Sequence, residues 1–241
     1  MTPATAKAAA ETGSTETGST ETGPASRQAD VAYARIKEAV IRGEYPPGHQ
    51  ALEQELALRL GMSRTPIREA LVRLAQERYI ELIPRRGMRV TELSARAIRE
   101  INEVLGGLEA QAAERLASRK LSPGEQAQLD AAIAAMDRAL EADDMAAWSE
   151  ADYRFHRLLI ELCGNRTLIE IATQLLEKAH RFRVVSTPQR GRPVYSNVNH
   201  AAVVEAIRRG DPQTAVEIHR SHKRRWSREL TDILDRLDIG E

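Results

Sequence analysis

The chain has 241 residues, 42% of them hydrophobic and only 4% aromatic, which fits one large domain or two small ones with aliphatic cores. Lys plus Arg and Asp plus Glu both number 35, so net charge singles out no class of partner. The lone cysteine, Cys163, excludes an intramolecular disulfide and indicates a reducing compartment. It follows an apolar stretch, Leu158-Leu159-Ile160, and reads as an inert core thiol. No segment approaches the ~20 apolar residues of a membrane span, and the N-terminus lacks an apolar signal core. A cytoplasmic protein without membrane contact is expected.

Residues 1–27 are low in complexity, with Thr-Gly-Ser-Thr-Glu occurring at Thr12–Glu16 and again at Thr17–Glu21. Such a segment buries too little apolar surface to offset its ordering entropy and is expected to be a disordered tail. From Asp30 a helical period runs through Val31, Ala34, more weakly Ile36, then Ala39 and Val40, with Gly43 as a stop. Pro46-Pro47-Gly48 forces a turn. Leu52, Leu56 and Leu60 share one face of a short helix that Gly61 ends. Ser63 is placed to cap a third helix reaching about Arg78, with Pro66 in its first turn. Its apolar face is Ile67, Leu71 and Leu74. Ile80–Ile83 and Met88–Val90 flank Pro84-Arg85-Arg86-Gly87 and read as a β-hairpin.

Beyond Leu93 every segment has helical character. Ser94 is a plausible N-cap for a helix to about Ser118. Ser122-Pro123-Gly124-Glu125 joins a capping box to a proline in the first turn. Asp143 or Asp144 caps a helix ending at Cys163, and another spans about Thr167 to Val185. Residues 186–196 read as a loop, followed by helices over about 197–209 and from Pro212 to about Leu237. The expected architecture is mostly α: a winged helix-turn-helix of three helices and a hairpin over 28–93, then an all-α antiparallel bundle of about six helices over 94–241.

Charge is unevenly placed. Between Arg59 and Thr91 there are eight Arg against three Glu, an electrostatic footprint suited to phosphate, though a merely solvated helix face has the same look. A Gly-containing turn leading into a helix that opens Ser63-Arg64-Thr65-Pro66-Ile67-Arg68 suits insertion into a major groove. Arg64 and Arg68 have the fork that reads guanine, Ser63 and Thr65 suit phosphates, and Arg85 and Arg86 at the hairpin tip reach the backbone or minor groove. The alternative is a helix-turn-helix turned to protein contact.

These residues resemble the GntR family of transcription regulators: Pro46-Pro47-Gly48, Glu53-Gln54-Glu55-Leu56-Ala57, Leu60 through Leu71, Arg73-Leu74, then Arg86-Gly87. The resemblance covers residues 30–92. It implies that Ser63, Arg64, Thr65 and Arg68 touch DNA and that Gly87 enters the minor groove. The position of Gln54 sometimes carries an Arg contact in the family, which this chain lacks.

In the bundle, Asp152 and His156 lie one turn apart on one helix face, His200 falls on the penultimate helix and His222 on the last. Three imidazoles and a carboxylate can make a borderline-metal site with open positions, but lone histidines are more often structural, and His219 is a competing donor. Leu108-Glu109, Asp152-Tyr153-Arg154-Phe155-His156, Gly164-Asn165, Ser196, His200 and His222 resemble the FadR-type branch with its FCD effector domain. That resemblance implies a divalent cation, zinc before nickel or manganese, held by Asp152, His156, His200 and His222, with an effector, often a carboxylic acid, above it. Many relatives place an Arg where this chain has Leu105, followed by Gly106-Gly107. A larger or less acidic effector is therefore expected. Arg181, Arg183 and Asn197 are the remaining candidate polar contacts, weighed against being solvated surface residues.

The expected function is a homodimeric regulator on a palindromic operator, a repressor of a metabolic operon relieved by a small metabolite. Two alternatives stand beside it: a metal-dependent hydrolase or lyase using the Asp/His cluster, and a metal that only staples the bundle.

Overall fold

A computed structural model of the chain describes residues 24–239; the tail expected over 1–27 lies outside them except for its last four residues. Those four open the first helix, α1 (Pro24–Ile41), which starts earlier than the apolar period because Pro24 fits a first helical turn. The chain continues through β1 (Gln50–Ala51), α2 (Glu53–Leu60), α3 (Arg64–Gln76), β2 (Ile80–Ile83) and β3 (Gly87–Val90). The strands form an antiparallel sheet in the order β1-β3-β2. The hairpin is as expected. β1 was not, because two residues are too short to show a period; it pairs Gln50 with Arg89 and Ala51 with Met88.

Two glycines make this unit possible. Gly61 ends α2 at φ 66, where its N–H returns to the Ala57 and Leu58 carbonyls, and that left-handed residue turns the chain into α3. Gly87 at the end of the wing has φ +79, and a Cβ there would stand 2.2 Å from the Ala51 carbonyl oxygen. The absence of a side chain is what lets β1 lie against β3. The interior is formed by Ile36, Leu56, Ile67, Leu71, Leu74, Tyr79, Ile80 and Met88, including the whole apolar face expected for α3.

Six further helices follow among the described residues: α4 (Ala95–Ala117), α5 (Pro123–Glu141), α6 (Met145–Leu162), α7 (Arg166–Ser186), α8 (Val194–Arg208) and α9 (Pro212–Arg236). Ser94, Ser122, Asp144, Asn165 and Asp211 each accept a first-turn N–H through the side chain, satisfying donors the helix cannot. Ser122 and Glu125 form the full capping box. The expected loop is shorter than predicted: Thr187–Gln189 forms a 3-10 turn and α8 begins at Val194. Leu116, Leu129, Met136, Trp148, Phe155, Leu159, Val203 and Ile207 fill one part of the bundle interior, and Cys163 lies in another beside Leu105 and Ile160.

Candidate functional site

The DNA-reading candidates fall on one surface. Pro66 and Ile67 point into the core, which leaves Ser63, Arg64, Thr65 and Arg68 exposed at the start of α3. Ser63 caps by position without a side-chain hydrogen bond, so its hydroxyl is uncommitted to the helix. Arg64, Arg68, Arg85 and Gly87 line one cleft of about 550 Å³ between α3 and the wing. Arg85 holds φ 63, an uncommon conformation for a side-chain-bearing residue, and Arg85 and Arg86 are exposed at the tip. Arg64 Nη2 lies 3.2 Å from Glu53 Oε2 with its side chain 71% exposed, a pair weak enough for phosphate or a base to displace.

Inside the bundle the second set of candidates converges. His156, His200 and His222 are buried and offer nitrogens within 4.8 Å of one another. Asp152 Oδ1 is 3.0 Å from His200 Nε2 and 3.8 Å from His156 Nε2. Its other oxygen accepts from Arg183. The donor set fits a divalent cation: three imidazoles with a carboxylate, and Nδ1 of both His200 and His222 buried without a partner. Burial drives the imidazoles toward the neutral form that a metal ligand requires. It takes His156 to about 3 and lowers His200 and His222 as well. For Asp152 burial works the other way, but the Arg183 guanidinium and the imidazoles of His156 and His200 outweigh it and hold the carboxyl well below its usual range.

His219, the competing donor, stands outside the triad: its Nε2 is 3.2 Å from Glu109 Oε2, and its Nδ1 is buried without a partner. Glu109 is fully buried, with His156 Nδ1 2.8 Å from Oε1 and Lys223 Nζ 2.5 Å from Oε2. Its carboxylate stands behind His156 Nδ1 at ion-pair distance without a formed hydrogen bond, on the side away from the Nε2 that faces Asp152, the place a carboxylate takes behind a metal ligand. Sequence reasoning noted Glu109 without giving it a role and missed Lys223. The signal was Gly106, where a Cβ would meet Lys223 Cγ at 3.3 Å. That glycine makes room for a lysine stem rather than for a larger ligand.

The three remaining polar candidates are buried, not solvated, because each has a fixed partner. Arg183 is held by Asp152. Asn197 accepts from Trp148 Nε1 at 2.8 Å and donates to Asp137 at 2.7 Å. Arg181 lies apart from the cluster and donates to the Thr91 carbonyl at 2.7 Å, at the junction with the winged unit. Leu105 packs among Ile160, Cys163 and Leu168. The cations beside the cluster are instead Arg183 and Lys223, each paired with a buried carboxylate.

Comparison with known proteins agrees with this division. Residues 28–90 match the bacterial regulatory proteins of the gntR family and residues 100–225 match the FCD domain. An HTH-type transcriptional regulator of Streptomyces ambofaciens is 30% identical over 202 residues, covering 80% of each chain. One from Agrobacterium vitis is 41% identical over 135 residues, covering 55% of this chain and 79% of its own. The transcriptional repressor RspR of Escherichia coli is 24% identical over 201 residues, covering 83% and 88%. The solved structure of E. coli McbR/YncC matches the fold with a TM-score of 0.75 at 23% identity, covering 85% of this chain and 97% of its own. These relatives are regulators, and the hydrolase or lyase alternative is set aside with them. The chain belongs to the GntR family of transcription regulators, a ligand-responsive DNA-binding protein that joins the family's helix-turn-helix to an FCD effector domain.

Proposed function

We propose that the chain is a zinc-dependent metabolite sensor that represses transcription as a homodimer on a palindromic operator and releases it when an anionic effector enters the bundle. The observation that carries this reading is the gathering of Asp152, His156, His200 and His222 around one point inside the bundle. We read residues 28–93 as the DNA-binding domain and 94–241 as the effector domain. A divalent cation held there supplies a Lewis-acidic anchor with positions open to a ligand oxygen; nickel or manganese suits the same donors. Arg183 and Lys223 balance Asp152 and Glu109 in formal charge, so a bound divalent ion leaves a buried surplus of about two positive charges, which favours an anion. Val104, Val194 and Val198 are 55%, 52% and 61% exposed, apolar surface on α4 and α8 that suits contact with a second copy. Repression follows the named relatives.

On DNA, Arg64 and Arg68 read bases while Ser63, Thr65, Arg85 and Arg86 hold phosphates, with Gly87 bringing the wing close. Fluorescence anisotropy on the DNA upstream of the chain's own gene tests this. We expect tight binding with a steep salt slope, and a loss of about 1–3 kcal/mol in Arg64→Ala. Unchanged binding in the variant would remove α3 as the reading helix.

A further inference from the structure

The chain has two tryptophans, and one arginine sits against both. The Arg190 guanidinium carbon lies 5.0 Å from the Trp148 ring and 4.5 Å from the Trp226 ring. Its Nη2 donates to Ser196 Oγ at 2.9 Å and lies 3.3 Å from Glu229 Oε2. The side chain is 9% exposed, and Nε is buried with no partner. A buried guanidinium with part of its fork unpaired is costly. Nε and Nη2 form the edge that a carboxylate grips with two parallel hydrogen bonds.

The position of Arg190 matters as much as its pairing. Trp226 is one turn beyond His222 on α9, and Ser196 one turn before His200 on α8, so two residues that touch Arg190 each stand one helical turn, roughly 5 Å along the axis, from a cluster histidine. Arg190 also lines a cleft of about 250 Å³ with Arg192, Arg225, Arg236, Asp232 and Glu229, four cations against two carboxylates, with Glu229 shared between Arg190 and Arg225. Pro193, Tyr195 and Ser196 also line it, and α8 begins there with no side-chain cap. The positive end of that helix therefore adds to the arginines. The segment bearing Arg190 is punctuated by Pro188, Gly191 and Pro193 and held through backbone carbonyls: Arg192 donates to Leu140, and Arg236 to Gln189 at 3.2 Å.

We propose that this cleft is an anion-binding vestibule leading to the histidine cluster and that Arg190 is its gate: a carboxylate docked in the cleft takes the Nε/Nη2 edge and draws the guanidinium from between the two indoles. This rests on the reading of the cluster as the effector site, and it adds a residue that selects ligands by charge before they reach the metal.

Because both tryptophans flank the gate, intrinsic fluorescence reports its position in the full-length chain. We expect acrylamide to quench the zinc-loaded wild type weakly and Arg190→Gln strongly. Zinc transfer to the neutral chelator 1,10-phenanthroline should be on the order of tenfold faster in Arg190→Gln, the result of losing the charged hydrogen bonds that keep the gate shut. Malonate should raise quenching and transfer rate in the wild type but not in Arg190→Gln, and malonamide should do neither. Arg190→Lys, which keeps the charge without the fork, should stay folded and lose the malonate response. Equal quenching and equal transfer in wild type and Arg190→Gln would make Arg190 a structural staple and overturn the gate. Wild-type indoles indifferent to malonate would overturn the vestibule. If neither protein holds zinc, the metal reading fails while the quenching comparison still decides the gate.

Discussion

His180 is a buried imidazole stacked on Tyr153 at 4.2 Å, with Nδ1 unpartnered and Nε2 3.8 Å from the Glu150 carboxylate, too far for a hydrogen bond. Burial, reinforced by the Arg183 guanidinium, lowers its pKa to about 3. Between that value and the ordinary 6.5 the unfolded chain binds a proton that the folded chain does not, so stability falls as pH drops below about 6.5. Replacing the ring with phenylalanine keeps the stack and removes the titration. Urea unfolding of His180→Phe should lose about 1 kcal/mol less stability than the wild type between pH 7 and 5.5. The other buried imidazoles titrate in both proteins, so an identical loss would mean that His180 is protonated in the fold. His180 also marks where residue-level reading stops. The aliphatic face of α3 and the four cluster residues could be named from spacing and resemblance. The burial of Arg181, Arg183 and Asn197 could not, because a buried charged residue is set by partners such as Asp152 and Thr91 on other elements, and local sequence carries no trace of them.

Helix α7 joins the two candidate sites. Residues 181 and 183 are about 200° apart around a helix of 3.6 residues per turn, and they face opposite ways: Arg183 to Asp152 in the bundle, Arg181 to the Thr91 carbonyl just past β3. One turn before Arg181, Glu177 accepts from Tyr79 at 2.5 Å and lies 2.9 Å from Lys37 Nζ on α1. Lys37 in turn sits 3.3 Å from Glu77 and 4.9 Å from the Tyr79 ring. One helix thus touches both Asp152 and the winged unit, a physical route by which a change at the cluster would reach it, with coupling of about 1–3 kcal/mol expected. Glu177→Gln removes the charge and keeps the shape. Hydrogen exchange should then quicken across α1 and at Tyr79, where the lost charged contacts are worth about 1.5–3 kcal/mol, and stay unchanged in α5 and α6. An exchange pattern like the wild type's would assign docking to Arg181 instead. Most element ends were legible in the sequence because caps such as Ser94, Ser122 and Gly61 are local signals. The contacts of α7 with α1 and Tyr79 were not, since they cross about a hundred residues and leave no period behind.

At the scale of the whole molecule, a cation that binds the folded chain and not the unfolded one stabilises it in proportion to the logarithm of its concentration over Kd, about 2.7 kcal/mol at a hundredfold excess. For a domain of this size that is roughly 5–10 °C in Tm. The two histidines of α9 separate the possible arrangements. Both have a buried Nδ1 without a partner, but His222 stands in the triad, whereas His219 has its Nε2 on Glu109. Zinc should raise the melting temperature of the wild type and of His219→Gln, and leave His222→Gln where it began. Equal loss in both variants would mean that Glu109 and His219 belong to the metal shell. Operator binding decides what the shift is for. If His222→Gln binds operator as tightly as the wild type but is deaf to metal and to added carboxylates, the cation is part of sensing. If it binds weakly only because it melts early, the cation is a staple, and the signal must enter the bundle by another route to α7.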